Sequence, residues 1–283
     1  MIPEFSSFMS LFWERVALSL YSLGLIVALA LLWRRHAERA FLISRRLMVA
    51  GFIFQFVSVV EMGVAAGHFP ITQYSEAANL LALMLTGAFL LVYRVYSPRG
   101  LSLLLLPLVF LLTFTSIYGP AGAAHTPLLH AGPGIDNVWI YWHVTLSFLG
   151  IVGLTLAVAC AMLYLWAERS LKQHPANLGW RLPPLETLDR LTYVSLLSGF
   201  PLLTIGLLIG FYRAGLQWGR AGLSDPKIVL ALMTWGLYLI LLFGRWAAHW
   251  RGRRAAWFTI VCFLAAVATW MASSFSRLHD FVR

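Results

Sequence analysis

Polar positions along this chain are punctuation between long apolar runs. Eight stretches, roughly 16–33, 47–67, 77–96, 101–117, 139–167, 192–211, 228–244 and 257–275, are mainly apolar over about the 20 residues a bilayer-spanning helix needs. The pattern predicts an all-α integral membrane protein of about eight transmembrane helices, a single polytopic domain over 1–283 with little left for a soluble part. The breaks between the runs carry turn chemistry. YSPRG parts the third helix from the fourth, and Pro98 and Gly100 are helix terminators. YGPAGAAHTPLLHAGPGIDNV, rich in Gly and Pro, predicts an irregular loop between the fourth and fifth. The stretch 168–191 ends in LETLDRL, whose spacing predicts a short surface helix leading into the sixth span. QWGRAGLSDPK, 217–227, is expected to be a loop between the sixth and seventh.

Charge fixes the expected orientation. Fifteen of the 21 Lys and Arg residues, from Arg34, Arg35, Arg39, Arg45 and Arg46 through Arg94 and Arg169 to Arg245, Arg251, Arg253 and Arg254, fall on one side of an eight-helix arrangement. The positive-inside rule makes that side cytoplasmic and sets both termini on the outer, periplasmic side of a bacterial cytoplasmic (inner) membrane. The net charge of +10 is therefore spent on topology rather than on one basic face, and no nucleic-acid partner is expected. The N-terminus lacks a basic n-region and a small-residue cleavage site, so the first helix is expected to stay. Trp139, Trp142, Trp218 and Trp270 fall near the outer boundary and Trp33, Trp166, Trp246, Trp250 and Trp257 near the inner one, as interfacial belts would.

Candidate chemistry is sparse. Cys160 and Cys262 lie inside predicted helices without a CxxC pair and read as buried thiols. No P-loop or GxGxxG motif points to nucleotide chemistry. The histidines divide by side: His36, His174 and His249 lie in Arg-rich inner loops, while His68, His125, His130, His143 and His279 lie at or beyond the outer face. Imidazole ligates haem iron, so convergence of the outer set is the chemical possibility to test. His143 stands a turn into the fifth helix among Trp139, Trp142 and Val144; His279 precedes Asp280, a candidate hydrogen-bonding support; His68 ends the second helix. Glu61 is read as the sole carboxylate inside a span, hence a functional candidate. Arg213, Arg220 and Lys227 surround Asp225, and arginine suits bidentate recognition of carboxylates such as haem propionates.

Three pieces in order resemble one family. GHFPITQYSE (67–76), WHVTLSFLG (142–150), and the run from WGRAGLSDPK (218–227) to the WRGRRAAW inner loop, followed by SRLHDF, are similar to the cytochrome c assembly membrane proteins of the CcsA, ResC and HemX group. The resemblance implies a haem-handling component of c-type cytochrome biogenesis, binding or presenting haem b at the outer membrane face, and at most one component of a haem-attachment system. It places His143 and His279 as axial ligands, with Trp218, Gly219, Asp225 and Pro226 from the haem-facing tryptophan-rich (WWD) segment, joined by Arg220 and His68 as candidate contacts. It implies membrane lipid, a separate CcsB/ResB-like subunit and an apocytochrome c as partners. The segment is degenerate: Gly222 and Ser224 stand where the family has tryptophans, and Phe243 where it has a further histidine. A HemX-like non-catalytic regulator or accessory subunit is therefore the alternative. A transporter, resting on Glu61 and on Pro201 within the sixth helix, is the third reading.

Overall fold

The computed structural model describes residues 2–33, 37–71, 73–96, 100–119, 136–173, 183–223 and 226–271. They form eight α-helices: α1 Ile2–Trp33, α2 Ala37–Ala66, α3 Tyr74–Tyr96, α4 Leu101–Tyr118, α5 Asp136–Gln173, α6 Leu185–Leu223, α7 Pro226–Trp246 and α8 Arg253–Met271. Seven of them, α1 to α7, are long and apolar enough to cross a membrane. The eighth predicted span falls on α8, which runs to the last described residue. The chain is a multi-pass, all-α membrane protein, and its helices group into two compact units, α1–α4 and α5–α8.

Within the first unit α1 packs along α2 and against α4, and α3 packs on α2 and α4. Backbone polar groups in lipid must be satisfied within each helix, so the helices are held to one another by packing and by side-chain hydrogen bonds. Here one chain of bonds joins all four. Tyr21 of α1 lies flat on Gly51 of α2 and donates its hydroxyl to Gln55 Oε1 at 2.8 Å. Gln55 Nε2 in turn donates to Asn79 Oδ1 of α3 (3.0 Å) and Thr113 Oγ1 of α4 (3.1 Å). Asn79 Nδ2 reaches Ser58 Oγ at 3.3 Å, and Ser58 donates to the Ser10 carbonyl at 2.9 Å. Each such bond contributes on the order of 0.6 to 2 kcal/mol in a membrane.

Ser10 belongs to this network because α1 starts at Ile2, well before the expected start near residue 16. The hydrophobic run is interrupted by Glu14 and Arg15, but the helix sends them different ways: Glu14 is 1% exposed in the bundle and Arg15 faces outward. The expectation that Glu61 is the sole intramembrane carboxylate is thereby corrected, since the first span, Phe8–Leu31, contains Glu14.

The second unit is built on a seam of glycines. α5 packs on α6 and α8, and α7 packs on α6 and α8. A Cβ at Gly153 of α5 would lie 2.8 Å from Gly199 Cα of α6, and one at Gly150 would lie 2.6 Å from Leu203 Cβ. Only hydrogen fits at these crossings, the small-residue device by which membrane helices approach closely. Beside the seam, Leu154, Ala157, Val158, Leu196, Tyr238, Leu241 and Cys262 form the apolar core. Cys160 and Cys262 are both free and buried, as expected.

α6 departs most from expectation. The LETLDRL stretch is its first turns rather than a separate surface helix, Pro201 does not break it, and it continues through QWGRAGL to Leu223. Its 39 residues extend roughly 58 Å, about twice a bilayer's hydrocarbon thickness. Gly219 and Gly222 each weaken a helix by about 1 kcal/mol, too little to end one, whereas Pro226 biases the preceding residue away from helical geometry. The described helix runs to Leu223, and Pro226 opens α7, where its missing N–H costs nothing.

Candidate functional site

His143 sits two turns into α5, and the glycine seam carries it onto α6. Its Nδ1 lies 2.6 Å from the carbonyl oxygen of Gly206. A carbonyl only accepts, so Nδ1 is the donor, and of the two neutral tautomers this bond selects the one whose lone pair is on Nε2. The face of the ring rests on Gly210, where an added Cβ would come within 2.5 Å of Cε1 and 2.7 Å of Nδ1. Gly206 is equally constrained, since its Cβ would meet Ser147 Oγ at 2.6 Å. Orientation and tautomer are thus both set by backbone and by the absence of side chains. A backbone carbonyl on the far nitrogen is the usual support of a metal-ligating histidine. A half-buried imidazole held this way fits axial ligation of a haem iron through Nε2.

The two glycines are the positions against His143 that sequence reading passed over. Gly206-Leu-Leu-Ile-Gly210 is a GxxxG pattern, the recognised signature of a close helix crossing. The pattern was visible, but its partner was not, because the register of α5 on α6 decides which residue meets it.

The other expected site residues fall into three groups. Trp218, Gly219 and Arg220 lie in the last turns of α6, about 12 Å of helix rise beyond Gly210, and Pro226 begins α7. For these four the backbone alone is described, and it corrects the expected loop to helix at 217–223. Asp225 and His279 lie outside the described residues, as do Asp280, His125 and His130. His68 lies in the first unit, in the connection from α2 to α3. Gly67, at φ 69°, ends α2 by donating to the Gly63 carbonyl, the usual task of a left-handed glycine. His68 Nδ1 then lies 3.1 Å from the Phe69 carbonyl. The structure therefore seats His143 on α6, the helix whose last turns carry Trp218 to Arg220. Among the described residues there is no group of three His, Cys, Asp or Glu side chains arranged to hold a bare metal ion.

At the opposite end of α6 the same unit is locked by charge. Arg245 of α7, 5% exposed at its side chain, donates from Nη1 and Nη2 to Asp189 Oδ1 and Oδ2 of α6 at 3.2 and 3.0 Å, and from Nη2 to the Asp189 carbonyl at 3.1 Å. Asp189 Oδ1 also accepts the Gly252 N–H at 3.1 Å. Gly252 has φ 64°, and a Cβ there would lie 2.8 Å from Tyr164 Oη of α5, so the loop between α7 and α8 needs glycine twice over. Arg245 stacks 5.1 Å from the Tyr193 ring centroid, and Arg254 stands 4.2 Å over Trp250, whose ring fills the notch at Gly244. Arginine's planar fork makes this geometry possible where lysine would not. Arg245, read from sequence as a topology charge, is a structural tie between α6, α7 and the loop. Phe243, where the resembled family has a histidine, is 61% exposed and meets Trp246 edge-on.

Comparison with known proteins gives a consistent family. A family model described as cytochrome C assembly protein matches residues 71–279. The cytochrome c biogenesis protein CcsA of Mesostigma viride is 27% identical over 227 residues, covering 72% of this chain and 72% of its own. That of Guillardia theta is 28% identical over 246 residues, covering 77% and 78%. Among solved structures, the cytochrome c heme lyase CcmF superposes with a TM-score of 0.68 at 20% identity over 93% of this chain, a likeness of fold. The chain spans 46% of that protein's length.

Proposed function

The chain belongs to the cytochrome c assembly protein family, and on that premise we propose that it binds haem b through His143 and presents it at the outer face of a bacterial cytoplasmic membrane for c-type cytochrome maturation. The observation that carries this reading is the 2.6 Å contact from His143 Nδ1 to the Gly206 carbonyl, which leaves Nε2 as the ligating nitrogen on a ring the glycines hold in place. His279 is the second residue that would hold the haem iron. Trp218 and Gly219, with Asp225 and Pro226, form the proposed haem-facing segment, and Arg220 supplies a polar contact that suits a propionate. Bound haem supplies vinyl groups for thioether formation with a client apocytochrome's cysteines; the chain's own residues ligate, orient and shield. A separate CcsB/ResB-like subunit is the proposed partner that completes the unit.

The detergent-purified protein is expected to show a b-type absorption spectrum, and His143→Ala should reduce its haem content several-fold while leaving the helical signal in circular dichroism intact. A His143→Ala, His279→Ala double variant whose spectrum matches the wild type overturns the assignment.

Gly222, Ser224 and Phe243 favour a second reading, a HemX-like accessory subunit that keeps the fold without haem transfer. It predicts protein purified free of haem together with a stoichiometric membrane partner.

A further inference from the structure

At the end of the first unit where α1 gives way to α2, an open groove of about 420 Å³ lies between α2 and α3. Arg45, Arg46 and Val49 line it from α2, and Leu90, Tyr93 and Arg94 from α3. Three arginines therefore line one groove. Arg45 is held 5.0 Å over the Tyr93 ring, and Arg46 and Arg94 are exposed. None of the three is ion-paired with a carboxylate among the described residues. Such a concentration of unneutralised charge repels itself and favours an anion between its members.

What leads away from the cations is apolar. Val49, Ile53, Phe56 and Val60 recur on α2 at intervals of four, three and four residues and are 40%, 55%, 53% and 48% exposed. They share one face of the helix and form a strip rising about 16 Å along it, away from the arginines. A free inorganic anion has no use for that strip. A phosphodiester headgroup with an acyl chain uses both parts, and basic pockets between helices at the membrane boundary hold such headgroups.

We propose that this groove binds an anionic phospholipid, with its phosphate among Arg45, Arg46 and Arg94 and one acyl chain along the Val49 to Val60 strip. The site lies within the first unit and does not depend on haem binding by His143. The test is native mass spectrometry of the full-length protein, delipidated in detergent and titrated with phosphatidylglycerol or with phosphatidylcholine of the same chains. Wild type should retain phosphatidylglycerol preferentially, and Arg46→Gln with Arg94→Gln should weaken it roughly 25-fold, at about one fivefold factor for each arginine. Arg46→Lys with Arg94→Lys keeps the charges and should keep most of the preference, which separates loss of the site from loss of the fold. Equal retention of the two lipids, or a preference unchanged in the glutamine variant, overturns the proposal. Millimolar inorganic phosphate that competes as well as the lipid itself also overturns it, because the site is then one for the anion alone.

Discussion

At the scale of the residue, His143 is an example of a side chain whose chemistry is set by what its neighbours lack. The imidazole was legible in the sequence as an outer-face candidate; the Gly206 carbonyl and the bare face of Gly210 were not, since both depend on where α5 crosses α6. A methyl group at Gly210 would lie 2.5 to 3.2 Å from three ring atoms, so Gly210→Ala must turn the ring and break the 2.6 Å hydrogen bond. Gly215, on the same helix, has nothing within 4 Å of its added Cβ. Haem retained per mole of purified protein should therefore fall several-fold in Gly210→Ala and stay at the wild-type level in Gly215→Ala. Equal retention in both would mean that the glycine face does not hold the ring. Glu14 teaches the complementary lesson: a charged pair stopped the hydropathy reading of α1, although the buried carboxyl and the exposed Arg15 sit on different sides of one uninterrupted helix.

At the scale of the element, hydropathy located each of the eight described helices and misjudged the lengths of those that outrun the bilayer. α6 is the clearest case. Its apolar centre was found, while its polar ends, LETLDRL and QWGRAGL, were assigned to surface and loop because composition reports the surrounding solvent and not the backbone. The consequence for the site is mechanical, since Trp218 and Arg220 ride on the same rigid rod that touches His143, rather than on a pliant loop. That rod is held by the glycine seam near its middle and by Asp189 and Arg245 at its start. A Cβ at Gly153 would press on the Gly199 Cα at 2.8 Å and the Ser195 carbonyl at 2.9 Å, backbone atoms with no rotamer by which to yield. Gly153→Ala should cost about 1 to 3 kcal/mol, as overpacking does. It should visibly lower the thermal midpoint in detergent, whereas Gly236→Ala on α7, open around its Cβ, should leave the midpoint unchanged or raise it. Similar midpoints for the two variants would remove the seam as the element that sets α6.

At the scale of the whole molecule, the alternation of basic and non-basic connections is the strongest statement in the sequence, and the eight spans expected from it would return the chain to the side from which it started. Orientation follows from charge rather than from packing, because each helix would pack the same way with the membrane inverted; only the cost of moving Lys and Arg across distinguishes the two. The connection from α7 to α8 and the first turn of α8 carry Arg251, Arg253 and Arg254, while the connection from α2 to α3 carries no basic residue other than His68. The first is expected inside and the second outside. Both native cysteines are buried, so single introduced cysteines can report without interference. Phe69 and Arg251 are both exposed and lie on those two connections. In intact spheroplasts a membrane-impermeant maleimide should label Phe69→Cys at once and Arg251→Cys only after the membrane is permeabilised. The reverse order would invert the topology and carry His143 with it, placing the proposed haem ligand on the inner face, where presentation to an exported apocytochrome is impossible.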